Sequence, residues 1–399
     1  MRVLLVSPFF PYPPSSGGRI RIFHLLRGLA RRHDVTLLTA FNREEERGRV
    51  ADLAAHCSRV VAVPVFERPR SVREHAAGLL SHAPYYRGIT TSAAFRAEFD
   101  AIIARRQVEV VQIEMLHAAH FAVGLRGPMT VLDMHNVESV YARRLLHHLR
   151  PGLSQALLLT DALKLPRYER RVVTAFTHCL AVSDVDAAQL HRLAPRARIS
   201  VIPNGVDPEE FAPSGESPEP DRLVFTASFT YAPNVDAMTF FCREVLPRVR
   251  AAVPRVRLSI VGQHPGPEIR ALGRVPGVEV TGRVPDVRPY LARAAVVVVP
   301  LRLGSGTRLK ILEAMAMEKP VVSTPVGAEG LAVRAGHDIE LAQDPEAFAE
   351  RTVALLRDPA RRARLGAGAR AAVLAQYAWS SIVDRLDALY RAAAPGARV

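Results

Sequence analysis

Cysteine, lysine and tryptophan are scarce in this chain of 399 residues. The three cysteines, Cys57, Cys179 and Cys242, are odd in number and far apart, with no C-x-x-C pair. A disulfide framework and a zinc knuckle are therefore unsupported, and no metal is expected. Only three of the 53 basic residues are lysines, at 164, 310 and 319. Chemistry that needs a Schiff-base lysine, pyridoxal catalysis above all, has few places to reside, and no cofactor is expected. No apolar run approaches the roughly 18 to 20 residues that cross a bilayer. Residues 1–7 begin like a signal peptide, but prolines 8, 11, 13 and 14 end the run and no small-residue cleavage site follows. That segment reads as a first buried strand, and a cytoplasmic protein is expected.

What is present is an ordinary globular balance, 49% hydrophobic and 23% charged, with a net charge of +14. Residues 1–200 hold 28 basic and 17 acidic side chains, residues 201–399 hold 25 and 22, so the excess lies in the first half. An Arg-rich soluble enzyme explains this, and so does a basic face for an anionic membrane or acidic acceptor. The segment 143–150 sets Arg143, Arg144, His147, His148 and Arg150 beside three leucines and points the same way, to peripheral contact at an inner membrane surface. No helix-turn-helix, finger or aromatic platform supports nucleic acid as a partner.

Short β-branched runs alternate with helical spacing along the chain. Residues 3–7, 35–39, 60–63, 108–113, 130–133, 179–182 and 200–202 read as strands, and 20–29 and 95–104 as helices. Runs this apolar suit strands buried on both faces of a parallel sheet. The rhythm breaks at 207–221, which holds six acids and four prolines and reads as a surface linker. It restarts with 223–226, 258–261, 278–281, 296–299 and 321–323, and a helix at 379–391 closes the chain. The fold class is α/β: two Rossmann-like, doubly wound domains, residues 1–206 and 222–375, facing across a cleft into which strand-to-helix loops project.

Two such loops carry phosphate chemistry. Gly17-Gly18 follows the first strand and opens a helix, where backbone amides and the dipole favour an anion. The dinucleotide pattern G-x-G-x-x-G is absent. The stronger segment is Gly304-Ser305-Gly306-Thr307-Arg308-Leu309-Lys310, with a helix expected from about Gly306. There Arg308 and Lys310 oppose the helix dipole unless an anion is present, Thr307 can cap, and Glu313 can accept from ribose hydroxyls.

Taken in order, Gly17-Gly18, 133–138 (Asp-Met-His-Asn-Val-Glu), 202–207 (Ile-Pro-Asn-Gly-Val-Asp), 304–315 and Lys319-Pro320-Val321-Val322 resemble family 4 of the retaining, nucleotide-sugar-dependent glycosyltransferases. The resemblance covers essentially the whole chain. It implies the GT-B fold, with the acceptor held by the first domain, the donor nucleotide by the second, and the segment 376–399 crossing back to the first. It also implies a nucleotide-sugar donor, a glycan, lipid-linked or small-molecule acceptor, and work in polysaccharide, glycolipid or secondary-metabolite biosynthesis. Two departures stand out. Ser305 occupies the place of the first Glu of the family's E-x7-E, so only Glu313 remains. Ser228 and Pro233 stand where an Arg and a Lys usually bind the diphosphate, and Arg308 and Lys310 are the physical replacements. This is a G-S-G-T-R-x-K branch.

Under this resemblance Gly17, Gly18, Ser228, Asn234, Arg283, Ser305, Gly306, Thr307, Arg308, Lys310 and Glu313 bind the donor. The loops 282–286 and 262–264 read the base. Glu114, His117 and His135 serve the acceptor side. A front-face reaction is expected, in which the leaving diphosphate helps to deprotonate the acceptor hydroxyl. Asp184-Val185-Asp186 spells a metal-binding D-x-D but opens a helix after Ser183, where acids cap amides. A sugar-nucleotide epimerase and a non-catalytic nucleotide-sugar-binding protein remain as alternatives.

Overall fold

The computed structural model describes residues 1–65, 81, 84, 92–105, 107–146, 152–304 and 306–393. The chain forms two compact units, Met1–Pro203 with Trp379–Val399, and Asn204–Ala378. Each is built on a parallel sheet.

In the first unit β1 (Arg2–Ser7), β2 (Asp34–Phe41), β3 (Arg59–Pro64), β4 (Val110–Glu114), β5 (Met129–Met134), β6 (His178–Ala181) and β7 (Ile199–Val201) lie in the order β3-β2-β1-β4-β5-β6-β7. β1 pairs with β2 and β4 on either side, with Val6 opposite Leu38 and Ile113. Leu4, Val6, Leu38, Val111, Ile113 and Leu132 share one core cluster with Phe95 and Phe99 of the Ala93–Arg105 helix. β4 and β5 are buried at every position. That burial is why their sequences run without polar alternation.

In the second unit β8 (Arg222–Ser228), β9 (Arg257–Gln263), β10 (Val278–Gly282), β11 (Val296–Val299), β12 (Val321–Ser323) and β13 (Glu340–Leu341) take the order β10-β9-β8-β11-β12-β13. β11 is four buried valines. Gly262 is fixed by a close approach, since a Cβ there would collide with the Ala227 carbonyl of β8. In both sheets strand order reverses at one place, between β1 and β4 and between β8 and β11. Loops leaving the carboxyl ends of those strands frame the ligand crevice of an open α/β sheet.

The stretch 207–221 is not a free linker. It falls within the second unit, and the division of the chain lies at Pro203/Asn204. Glu219 accepts from Arg222 and Arg257, and its amide donates to the Arg293 carbonyl, which ties this acid to the sheet edge, while Glu209, Glu210 and Glu216 are exposed. The Trp379–Ala393 helix packs on the Gly17–Ala30 helix of the first unit. His24 stacks on Trp379 at 5.0 Å with rings 5° apart, and Val383 fills the notch over Gly28. Asp387 accepts from Arg32, His33 and Arg391.

Candidate active site

In the second unit, the β8 and β11 loops converge at the strand reversal. Lys310 Nζ donates to Asn234 Oδ1 at 2.9 Å, and Asn234 Nδ2 donates to the Ser228 carbonyl at 2.7 Å. The Lys310 ammonium also lies 3.9 Å from the centre of the Phe225 ring, an attraction of the cation–π kind. Burial, and then the Arg308 charge, hold the Lys310 pKa well below that of an ordinary lysine; Glu313 opposes them. Burial pushes Glu313 up to about 7, with Lys310 pulling it down. Arg308 is buried, and its Nη1 donates to the Gly306 carbonyl at 2.9 Å. The loop gives it room. Gly304 has φ +121°, and a Cβ there would run into the Arg308 guanidinium and lie 2.9 Å from the Tyr231 hydroxyl.

The helix here is Leu309–Ala316, three residues later than the spacing suggests. Gly304 and Gly306 adopt positive φ, which no helix accommodates, so the loop extends to Arg308 at the N-cap. Thr307 caps nothing; its Oγ1 accepts from Asn204 Nδ2 at 2.7 Å. Arg283 is exposed after β10, and Asp286 is engaged by Arg288. His264, in the other loop expected to read the base, holds φ +56°. Ser305 lies outside the described residues, as do His147, His148 and Arg150.

In the first unit the acceptor-side residues meet at the ends of β1, β4 and β5. His135 Nε2 lies 2.9 Å from Glu114 Oε2, and Gln112 Nε2 donates to Glu114 Oε1 at 2.6 Å. Arg21 grips Asp133 through two bonds of 2.8 and 2.9 Å and donates to the Pro203 carbonyl at 2.9 Å. Burial, then the Asp133 charge, raise the Glu114 pKa; the bond to His135 lowers it. Gly18 belongs to the same group, since a Cβ on it would sit 3.1 Å from Phe9 and 3.5 Å from His135 Nδ1. Gly17 is the first residue of the Gly17–Ala30 helix. Met115, next after Glu114, holds φ +68°, a strained value for an unbranched bulky residue. The turn it makes brings His117 near His135, and burial followed by the His135 charge pushes His117 down to about 4.

Glu114, Asp133 and His135 bring donor atoms within 4.8 Å of one another, the reach of a divalent ion. Those atoms are already matched: Arg21 holds both Asp133 oxygens, and Gln112 and His135 hold those of Glu114. The Arg21 guanidinium supplies a positive countercharge to this group. The D-x-D opens the Asp184–Leu193 helix, but the cap is Ser183 rather than the acids: its Oγ accepts from the Asp186 amide at 3.1 Å and its hydroxyl bonds the Asp186 carboxylate.

Residues 15–210 match the family model described as Glycosyltransferase Family 4, and residues 220–358 the model described as Glycosyl transferases group 1. Both units of the chain thus contain stretches that match glycosyltransferase family models. The chain's structure is similar over 98% of its length to sucrose-phosphate synthase from Thermosynechococcus elongatus (TM-score 0.73, 18% identity, 98% of that chain). It is likewise similar to the Anabaena protein HepE solved with UDP-glucose (TM-score 0.70, 15% identity, 98% of this chain and 100% of that one). These likenesses establish the GT-B fold. In sequence the chain is 31% identical over 256 residues to D-inositol 3-phosphate glycosyltransferase 1 of Catenulispora acidiphila, which is 58% of this chain and 60% of that one. It is 28% identical over 398 residues to the D-inositol 3-phosphate glycosyltransferase of Nocardiopsis dassonvillei, 90% of this chain and 89% of that one. Thus the chain spans little more than half the length of the first curated relatives it matches.

Three buried polar residues of the first unit were not singled out in the sequence: Arg21, Gln112 and Tyr390. Each leaves a signal. Arg21 sits four residues before Leu25 and eight before Leu29, a charge inside the apolar stripe of its helix. Gln112 interrupts an otherwise apolar strand, and Tyr390 continues the buried series Trp379, Ile382, Val383 and Leu386. A polar group on a buried face requires a partner, so such positions mark a network before its members are known.

Proposed function

We propose that the chain is a glycosyltransferase that moves a sugar, with retention of anomeric configuration, from a nucleoside-diphosphate sugar to an acceptor hydroxyl. The observation that carries this reading is the Lys310–Asn234 bond, which ties the β8 and β11 loops together at the strand reversal with Arg308 alongside. A buried lysine beside an arginine is a place where an anion binds favourably. A diphosphate offsets both the burial and the like charge at once. In the reaction the acceptor oxygen bonds the anomeric carbon as the bond from that carbon to the diphosphate breaks, and the acceptor proton passes to the departing phosphate oxygen. Arg308 and Lys310 stabilise the charge that develops there, and Glu313 receives the ribose hydroxyls. Ser228 and Asn234 hold the β8 loop in register, and Gly306 and Thr307 supply backbone amides.

His135 is the acceptor-side group, Glu114 holds it, and His117 stands beside it. Acceptor chemistry follows from the first half's positive charge. The Leu153–Ala175 helix carries exposed Leu159 and Leu163 with Arg167, Arg170 and Arg171, which suits an acceptor presented at an anionic lipid surface. No helix among the described residues is long and apolar enough to cross a membrane.

The test is release of nucleoside diphosphate from a panel of UDP-, GDP-, ADP- and dTDP-sugars, with the anomeric proton of the product read by NMR. One α-linked donor should be consumed with an α-linked product, and Lys310→Met should lower the rate by on the order of a hundredfold or more. A β-linked product from an α-linked donor would overturn retention. Equal rates in Lys310→Met would overturn the phosphate site.

A further inference from the structure

The acceptor-side group does not end at Glu114. The Tyr390 hydroxyl donates to Gln112 Oε1, Gln112 Nε2 donates to Glu114 Oε1 at 2.6 Å, and Glu114 Oε2 meets His135 Nε2 at 2.9 Å. We propose that Tyr390, Gln112 and Glu114 form a positioning relay that fixes the ring of His135 and makes it depend on how the Trp379–Ala393 helix is seated.

The direction of each bond follows from its neighbours. Tyr390 is fully buried, and its phenol pKa is raised well above the ordinary value, first by burial and then by the charges of Glu114 and Asp133, so it acts as a donor. A donor at that point forces the Gln112 amide oxygen toward the tyrosine and its NH2 toward Glu114. With one carboxylate oxygen thus engaged, the other takes the His135 Nε2–H. The Nδ1 edge is turned toward Gly18, where a Cβ would lie 3.5 Å from it and 3.1 Å from Phe9. Asp133, 3.7 Å from His135, would compete for the same proton, but Arg21 holds both of its oxygens.

Tyr390, Gln112 and Glu114 are each 0% exposed, whereas His135 is 9% exposed. No member of the relay other than His135 can reach a substrate, so Tyr390, Gln112 and Glu114 are positioning residues. The helix that carries Tyr390 also lies along the Gly17–Ala30 helix through the His24–Trp379 stack and the Val383–Gly28 contact. One element therefore braces both the Gly17-Gly18 turn and the imidazole that faces it. The effect on catalysis rests on the transfer reading above; the relay itself rests on the bond geometry.

The experiment uses the full-length chain labelled with nitrogen-15 histidine, with the His135 signals assigned by comparison with His135→Gln. In the wild type the Nε2–H should exchange slowly with solvent. Tyr390→Phe keeps the ring and removes the first donor. It should speed that exchange and lower turnover of the best donor by on the order of ten- to a hundredfold at unchanged donor KM, the cost of a misplaced group. Asp387→Asn weakens the same helix's bonds to Arg32, His33 and Arg391 but keeps the Tyr390 hydroxyl, and should move the His135 signal less than Tyr390→Phe does. A His135 signal unmoved by Tyr390→Phe, or moved equally by Asp387→Asn, overturns the relay. A signal that responds while nucleotide release does not would uphold the relay and overturn the transfer reading.

Discussion

At the residue scale the donor-side chemistry turns on Lys310. Its low pKa is produced by burial and by Arg308, and a diphosphate bound as proposed offsets both by favouring the charged lysine. Binding must then raise the protonated fraction. At pH 9, where Glu313, pushed up to about 7, is already ionised, calorimetry of UDP or the preferred diphosphate in buffers of different ionisation enthalpy should show net proton uptake. Lys310→Met should abolish it. Arg308 and Lys310 were legible in the sequence because two cations at a helix start demand a reason. The bond from Lys310 to Asn234 was not, since 76 residues separate them and only the parallel sheet brings them together. Arg21 shows the same limit in the first unit: its place in the apolar stripe was visible, but its partner Asp133 lies 112 residues away.

At the scale of elements, the longer strands among the described residues were readable as short apolar, β-branched runs, uninterrupted where burial is complete, as in β11, and legible even in the partly exposed β3, β7 and β10. β13, two residues long, carries no such signature. The start of the Leu309–Ala316 helix was misplaced because glycines in left-handed backbone extend the preceding loop. That loop yields a direct prediction. Gly304→Ala forces a Cβ against Arg308 at φ +121° and should weaken diphosphate binding at least about tenfold, since a strained left-handed position costs on the order of 1–3 kcal/mol. An unaltered Kd by calorimetry would show that the loop reshapes freely.

The pairing of the Glu138–Leu146 and Leu153–Ala175 helices has its own pH dependence. Burial, then the Glu169 charge, push Glu138 up to about 8, and burial pushes Glu169 up to about 6. Glu169 is fully buried, with Oε2 lacking a hydrogen-bond partner. Both acids bind protons more tightly folded than unfolded. Between their ordinary value of 4.5 and about 6 to 8 the folded state therefore holds more protons, and stability falls as pH rises through that window. The melting temperature should decline from pH 5 to pH 8.5, and Glu138→Gln with Glu169→Gln should flatten the decline. A slope unchanged in that double variant would place the pH dependence elsewhere.

At the scale of the whole molecule, charge and exposure point one way in the first half. The basic excess there and the exposed pair Leu159 (50%) and Leu163 (63%) predict co-sedimentation with vesicles rich in anionic lipid at low salt. High salt should release the protein, and Leu159→Ser with Leu163→Ser should weaken the retention; equal binding to neutral vesicles would refute the electrostatic account.

The central claim, that Arg308 and Lys310 form a diphosphate site, is tested most directly by thermal shift with UDP, GDP, ADP, dTDP and CDP on the wild type, Arg308→Ala and Lys310→Met. A ligand that binds only the folded state raises stability by about 2.7 kcal/mol at 100-fold saturation. The account predicts that one diphosphate raises the melting temperature of the wild type and that both variants lose the rise while keeping their own cooperative unfolding. If no diphosphate stabilises the wild type, or if the variants respond as it does, the site is not where these two cations place it.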